Sequence, residues 1–206
     1  MIFKKMMVAV IGLVLVFCNI AYAADTWSLV GGNVNSDRVY EIQTVTDSNG
    51  TPYVAFHDNN FSNKITVKKY DGSSWVTVGI PGFTSQRPDF YKLAIDSNDN
   101  IYILHSHQNY DPMPGSFDQP YKISVTRFNG ISWEIVGAVE FANGTRYTSI
   151  AFDSNDVPYV AYSDKDNDVK GTIKKYDGSS WVNVGSTFTN AYCNTQLISL
   201  EIDSNN

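Results

Sequence analysis

Cysteine, histidine and arginine are all scarce in this chain, and each shortage removes a class of chemistry. The 206 residues hold two cysteines, Cys18 and Cys193. Cys18 falls in a segment expected to be removed, so the remaining thiol has no partner for an intrachain disulfide, and stability rests on packing. The three histidines, His57, His105 and His107, lack the third ligand that a zinc site needs. No window after the N-terminal segment carries an apolar period of 3.6 residues, which excludes a helical fold. The one long apolar run, Met6 to Phe17, is shorter than the roughly 20 residues of a membrane span. It follows Lys4 and Lys5 and precedes Ala21-Tyr22-Ala23. That order is expected of an export signal over 1–23 that is cleaved after Ala23, with no membrane insertion afterwards and a secreted or cell-surface location. The net charge of −6 disfavours nucleic acid and anionic membranes as partners.

Aromatics are plentiful: 14% of the chain, with thirteen tyrosines and four tryptophans, enough to exclude a disordered polar segment. They are placed periodically. Asp-Ser-Asn recurs at Asp47, Asp96, Asp153 and Asp203, with spacings of 49, 57 and 50. A tryptophan followed four residues later by glycine recurs at Trp27/Gly31, Trp75/Gly79, Trp133/Gly137 and Trp181/Gly185, with spacings of 48, 58 and 48. Between these markers Pro52-Tyr53-Val54-Ala55-Phe56 returns as Pro158-Tyr159-Val160-Ala161-Tyr162. The run from Lys68 to Val76 likewise returns from Lys174 to Val182.

Each unit of about fifty residues divides into four short strands. One ends on the repeat Asp, the second follows the Ser-Asn turn, the third runs to an Asp-Gly or Asn-Gly pair, and the fourth carries Trp. The Asp-Gly pair predicts a two-residue type I′ hairpin, which would set Lys68, Thr126 and Lys174 opposite Trp75, Trp133 and Trp181. Four antiparallel strands per unit is the pattern of a β-propeller blade. The expected fold is therefore all-β: an incomplete propeller within 24–206. Blades are expected at 38–79, 87–137 and 146–185, with a lone outer strand at 24–32 and the first strand of a truncated blade at 196–206. Further blades or domains downstream, or closure by oligomerisation, would complete the ring. The short turns fall on one face. The variable loops, including the long one from Gln108 to Pro120, fall on the other, where binding usually resides.

These repeats resemble those of bacterial secreted β-propeller proteins, on the residues Tyr-Val-Ala-Phe/Tyr followed by Lys-Tyr-Asp-Gly-Ser-Ser-Trp-Val. A looser similarity is to sialidases, whose Asp boxes occupy the same hairpin, although Asp71 and Gly72 are adjacent here and depart from that box. Kelch propellers have a similar period but carry a glycine pair that is absent here.

Arg38 and Arg87 lie nine residues before the repeat Asp, and Arg146 lies seven before it. Even offsets keep side-chain parity along a strand, so all three are expected near the axis on the variable face. There they could clamp an anion, or simply pair with Asp37, Asp89 and nearby carbonyls. The resemblance to sialidases implies the first role. Asp164, Asp166 and Asp168 alternate as calcium ligands do, yet Val169 and Lys175 occupy the positions where an EF-hand needs Gly and Glu. A solvated loop is the competing reading. The repeated Trp fits blade packing, with sugar stacking as the other role. No catalytic set is identified and no cofactor is implied. The expected function is a secreted, non-enzymatic propeller that binds a glycan or protein ligand through its variable loops. The alternatives are a sialidase-like hydrolase of acidic sugars and a structural repeat of a larger surface protein.

Overall fold

A computed structural model describes residues 31–108, 119–188 and 198–203. The expected signal segment, Trp27, most of the 24–32 strand, nearly all of the long loop and Cys193 lie outside the described residues. The described chain is all-β, with antiparallel pairing throughout and only two one-turn 3-10 helices, Asn59–Phe61 and Lys165–Asn167. No described helix is long and apolar enough to cross a membrane.

The strands form three successive units. Unit 1 comprises β1 (Val39–Thr46), β2 (Pro52–Asp58), β3 (Lys64–Tyr70) and β4 (Trp75–Thr77). Unit 2 comprises β5 (Phe90–Ile95), β6 (Ile101–Gln108), β7 (Tyr121–Phe128) and β8 (Trp133–Ile135). Unit 3 comprises β9 (Ala142–Phe152), β10 (Pro158–Asp164), β11 (Lys170–Tyr176) and β12 (Trp181–Asn183). Within each unit sequential strands pair as a meander. Strand β9 starts early: Ala142, Asn143 and Gly144 pair with Ile123, Lys122 and Tyr121 of β7 before β9 continues along β10. Units 2 and 3 therefore share one eight-stranded sheet. Over 198–203, part of the strand expected at 196–206, no strand pairing forms. The Leu200 amide instead donates to Ser149 Oγ at 3.1 Å.

Alternate residues build two cores. Tyr53, Ala55, Ile65 and Val67 of unit 1 meet Tyr91, Leu93, Ile101 and Ile103 of unit 2. The opposite parity of unit 2, Tyr102, Leu104, Ile123 and Val125, meets Val160, Tyr162 and Trp181 of unit 3. Strand β6 is buried on both faces, which is why its first half, Ile101 to Leu104, is continuously apolar rather than alternating.

Two devices join each unit to the next. The indole N–H of Trp133 donates to the Val78 carbonyl at 3.0 Å, and that of Trp181 to the Val136 carbonyl at 2.8 Å. Trp133 also stacks on Phe83 (4.1 Å, 7°) and Trp181 on Phe141 (4.4 Å, 14°). The recurrent glycine is the space into which the next unit's tryptophan fits. At Gly79, φ +69°, a β-carbon would lie 2.9 Å from Trp133 Nε1. The second device sits on the short turns. Asp99 accepts from the amide and hydroxyl of Ser48 at 2.7 and 2.6 Å, and Asp156 from those of Ser97 at 2.8 and 2.9 Å.

The third-to-fourth-strand hairpin differs from expectation. Asp71 N–H bonds the Ser74 carbonyl, while the amides of Ser73 and Ser74 both donate to Asp71 Oδ1. Gly72 has a positive φ but Ser73 does not, so the turn is not type I′, which needs a positive φ at both central residues. The carboxylate takes the amides that a backbone carbonyl would otherwise hold, and the loop centre moves to Gly72-Ser73. The register shifts accordingly. Tyr70, Phe128 and Tyr176 face Trp75, Trp133 and Trp181, while Lys68, Thr126 and Lys174 face Thr77, Ile135 and Asn183.

Candidate functional site

Two pockets recur at equivalent places, each between successive units on the face of the short turns. The larger, about 700 Å³, lies between units 2 and 3. Unit 2 contributes Tyr102, Arg127, Glu134, Ile135 and Val136, and unit 3 contributes the Asp156–Pro158 turn and the Tyr176-Asp177-Gly178 hairpin with Lys175. The smaller, about 420 Å³, lies between units 1 and 2. It is lined by Tyr53, Lys69, Thr77 and Val78 on one side and by the Asp99–Ile101 turn and Phe128-Asn129-Gly130 on the other. By repeat position Tyr53 corresponds to Tyr102, Lys69 to Arg127, Asp99 to Asp156 and Phe128 to Tyr176.

The chemistry of the larger pocket centres on Arg127 and Glu134. They face each other in the β7–β8 register, and the guanidinium donates to Glu134 Oε1 at 2.7 Å. Asn129 Nδ2 holds Glu134 Oε2 at 3.1 Å. Arg127, then Asn129, keep the Glu134 carboxyl below the usual range, and Glu134 raises Arg127 in return. Burial pushes the Tyr102 hydroxyl up. On the opposite wall the Ser180 and Ser179 amides hold the Asp177 carboxyl low. In the repeat-equivalent hairpin of unit 1 the same amides, from Ser74 and Ser73, take Asp71 to about 2. The pocket thus presents a fixed guanidinium–carboxylate pair beside aromatic rings. Such a set can donate to and accept from hydroxyl groups while an apolar face rests on a ring.

The arginines singled out in the sequence lie on the other face. Arg38 precedes β1 and donates to Tyr40 Oη at 3.3 Å, with its own amide on Asp37. Arg146 lies within β9, exposed, 3.7 Å from Glu41 and 3.3 Å from the Asp89 carbonyl. Arg87 acts on the charge of buried His57 together with Glu41 and Asp89, though burial is what chiefly lowers that histidine. Arg87 and Arg146 thus share a neighbourhood with Glu41, whereas the contacts of Arg38 are with Asp37 and Tyr40. Glu41 has φ +49° at the irregularity between Tyr40 and Gln43 in β1.

The alternating aspartates have separate partners. Asp164 caps the 3-10 turn by accepting from the Asp166 amide (3.1 Å), Asp166 accepts from Asn143 Nδ2 (2.8 Å), and Asp168 pairs with Lys170 (3.2 Å). Among the described residues no three His, Cys, Asp or Glu side chains are grouped to hold a metal. Fully buried His105 meets Thr126 Oγ1 at 3.1 Å and is pushed down to about 4 by burial, then by the neighbouring His107. His107 Nε2 lies 3.3 Å from Glu140, out of line for a hydrogen bond.

Sequence reading missed the Arg127–Glu134 pair, although a signal was there. A cation precedes the hairpin aromatic in every unit: Lys69, Arg127 and Lys175.

The sequence matches no family model and no curated protein. Among solved structures, a variant of the Aleuria aurantia lectin in complex with Fucα1-6GlcNAc aligns with 73% of this chain and 47% of its own, at 19% identity and TM-score 0.50. A fucose lectin from Kordia zhangzhouensis in complex with methyl-fucoside aligns with 71% of this chain and 99% of its own, at 14% identity and TM-score 0.41. An ulvan lyase aligns with 76% of this chain and 39% of its own, at 14% identity and TM-score 0.43. The chain thus spans about half the length of the Aleuria lectin. The likeness to that lectin is one of fold, an antiparallel all-β chain built of short-stranded sheets.

Proposed function

We propose that this chain is an exported glycan-binding protein of propeller architecture, and that it holds saccharide in the pockets between successive units. The observation that carries the reading is the recurrence of the pocket: two joints place a cation, an aromatic ring and a turn aspartate, Asp99 or Asp156, at equivalent positions. Three four-stranded meanders with cores between their faces support the propeller, as does the approach of β5 to both β1 and β9. The saccharide ligand is in keeping with the Aleuria lectin, whose fold is similar. Arg127 and Glu134 would bind hydroxyl groups, with Tyr176 and Tyr102 beside the ring. The binding face is then that of the short turns rather than the variable loops.

A glycan array on the purified protein, followed by calorimetry with the strongest-binding sugar, tests this. Loss of a charge-assisted hydrogen bond removes about 1.5–3 kcal/mol, so Arg127→Met and Glu134→Gln should each weaken binding roughly ten- to a hundredfold. Both variants should melt like the parent protein. An array without signal, or undiminished binding by Arg127→Met, overturns the reading.

A further inference from the structure

The two pockets differ in charge at two equivalent positions: Glu134 stands where unit 1 has Val76, and Asp177 of unit 3 where unit 2 has Asn129. In unit 2 the cation has a partner in register: Arg127 faces Glu134. In unit 1 the equivalent cation, Lys69, faces Val76, and its ammonium has no hydrogen-bond or ion-pair partner among the described residues. Other polar groups of the smaller pocket are engaged. Asp99 is held by Ser48, the Asn100 side chain donates to Asp96, and Asn129 is held among Ser132, Ile131 and Glu134. The larger pocket carries three carboxylates, Glu134, Asp156 and Asp177, against two cations, Arg127 and Lys175. The smaller carries Asp99 against Lys69.

Resting on the glycan-binding reading, we infer that the two pockets take different saccharides. The pocket between units 1 and 2 binds an acidic sugar through Lys69, and the pocket between units 2 and 3 binds a neutral one through Arg127 and Glu134. A carboxylate or sulfate entering the smaller pocket gains a cation that has no protein anion to leave. Entering the larger one, it meets an excess of negative charge and would have to separate a formed ion pair. Position 76 is the selector, because a carboxylate there would face Lys69 as Glu134 faces Arg127.

Methyl β-D-glucuronide and methyl β-D-glucoside, which differ at C6, are the probes, titrated by amide NMR into the full chain at low salt. The glucuronide should shift amides around Lys69 and Asn129, and the glucoside those around Arg127 and Asp177. Lys69→Met and Val76→Glu should each weaken glucuronide binding at least fivefold and leave glucoside binding unchanged. Glu134→Val should admit the glucuronide to the larger pocket. Glucuronide binding that survives both Lys69→Met and Val76→Glu overturns the assignment while leaving the glycan reading standing. If neither sugar shifts either pocket, and the array is also blank, the glycan-binding reading itself falls.

Discussion

Replacing Gly79 by alanine should cost more stability than the same change at Gly178, and the difference measures the joint between units. Both residues have positive φ, +69° and +100°. A β-carbon at Gly178 would meet nothing within 4 Å, so its cost is conformational, roughly 1–2 kcal/mol for a left-handed residue. At Gly79 the added carbon would sit 2.9 Å from both Phe128 Cε2 and Trp133 Nε1. Trp133 cannot retreat without sliding off Phe83, 4.1 Å away, and stretching its bond to the Val78 carbonyl. Overpacking of this kind adds roughly 1–3 kcal/mol, which brings Gly79→Ala to about 2–5 kcal/mol when the conformational cost is included. Urea unfolding followed by tryptophan fluorescence reads both variants. Equal losses, within about 0.5 kcal/mol, would refute the claim that the repeat glycine exists to admit the neighbouring indole.

The turn latch gives a second expectation: Asp156→Ala should destabilise by about 1–2 kcal/mol. A double-mutant cycle with Ser97→Ala, which removes the hydroxyl bond and keeps the amide one, should show coupling between the two changes, and strictly additive losses would sink the hydroxyl half of the latch. The third expectation concerns pH. His105 is held neutral, at about 4 against an ordinary 6.5, so the unfolded chain binds the extra proton first. Its contribution is fully present above pH 6.5 and is lost as pH falls towards 4, to a total of about 3 kcal/mol. His105→Phe, which restores the aromatic found at Phe56 and Tyr162, should flatten the stability profile over that window. An unchanged slope in chemical denaturation would place the sensitivity elsewhere.

The all-β class was legible in the sequence because Asp-Ser-Asn and Trp-Gly mark turns and strand ends, which are local chemistry. The hairpin register was not. Asp71 looks like the first central residue of a tight turn, but its carboxylate captures the Ser73 and Ser74 amides and moves the turn forward by one residue. That shift exchanges each tryptophan's partner from Lys68, Thr126 or Lys174 to an aromatic ring. The pockets were hidden for another reason: each is shared between units, so Arg127 acquires meaning only beside Tyr176 of the next unit. Of Arg38, Arg87 and Arg146, the last two come near Glu41 while Arg38 contacts Asp37 and Tyr40. The Glu41 that meets Arg146 comes from the strand irregularity in β1, which no local motif marks.

The joints between units have a polarity. Unit 2 offers a backbone carbonyl and a serine to its successor, and an indole and a carboxylate to its predecessor, whereas unit 1 has Gly50 at the carboxylate position. A duplication that copies unit 2 therefore copies both halves of the joint, and the new member fits on either side without further change. Because the proposed binding pockets are themselves the joints, each inserted unit would also add a pocket. Valency would then be set by copy number, while the selectivity of each pocket could drift separately through the residue facing its cation.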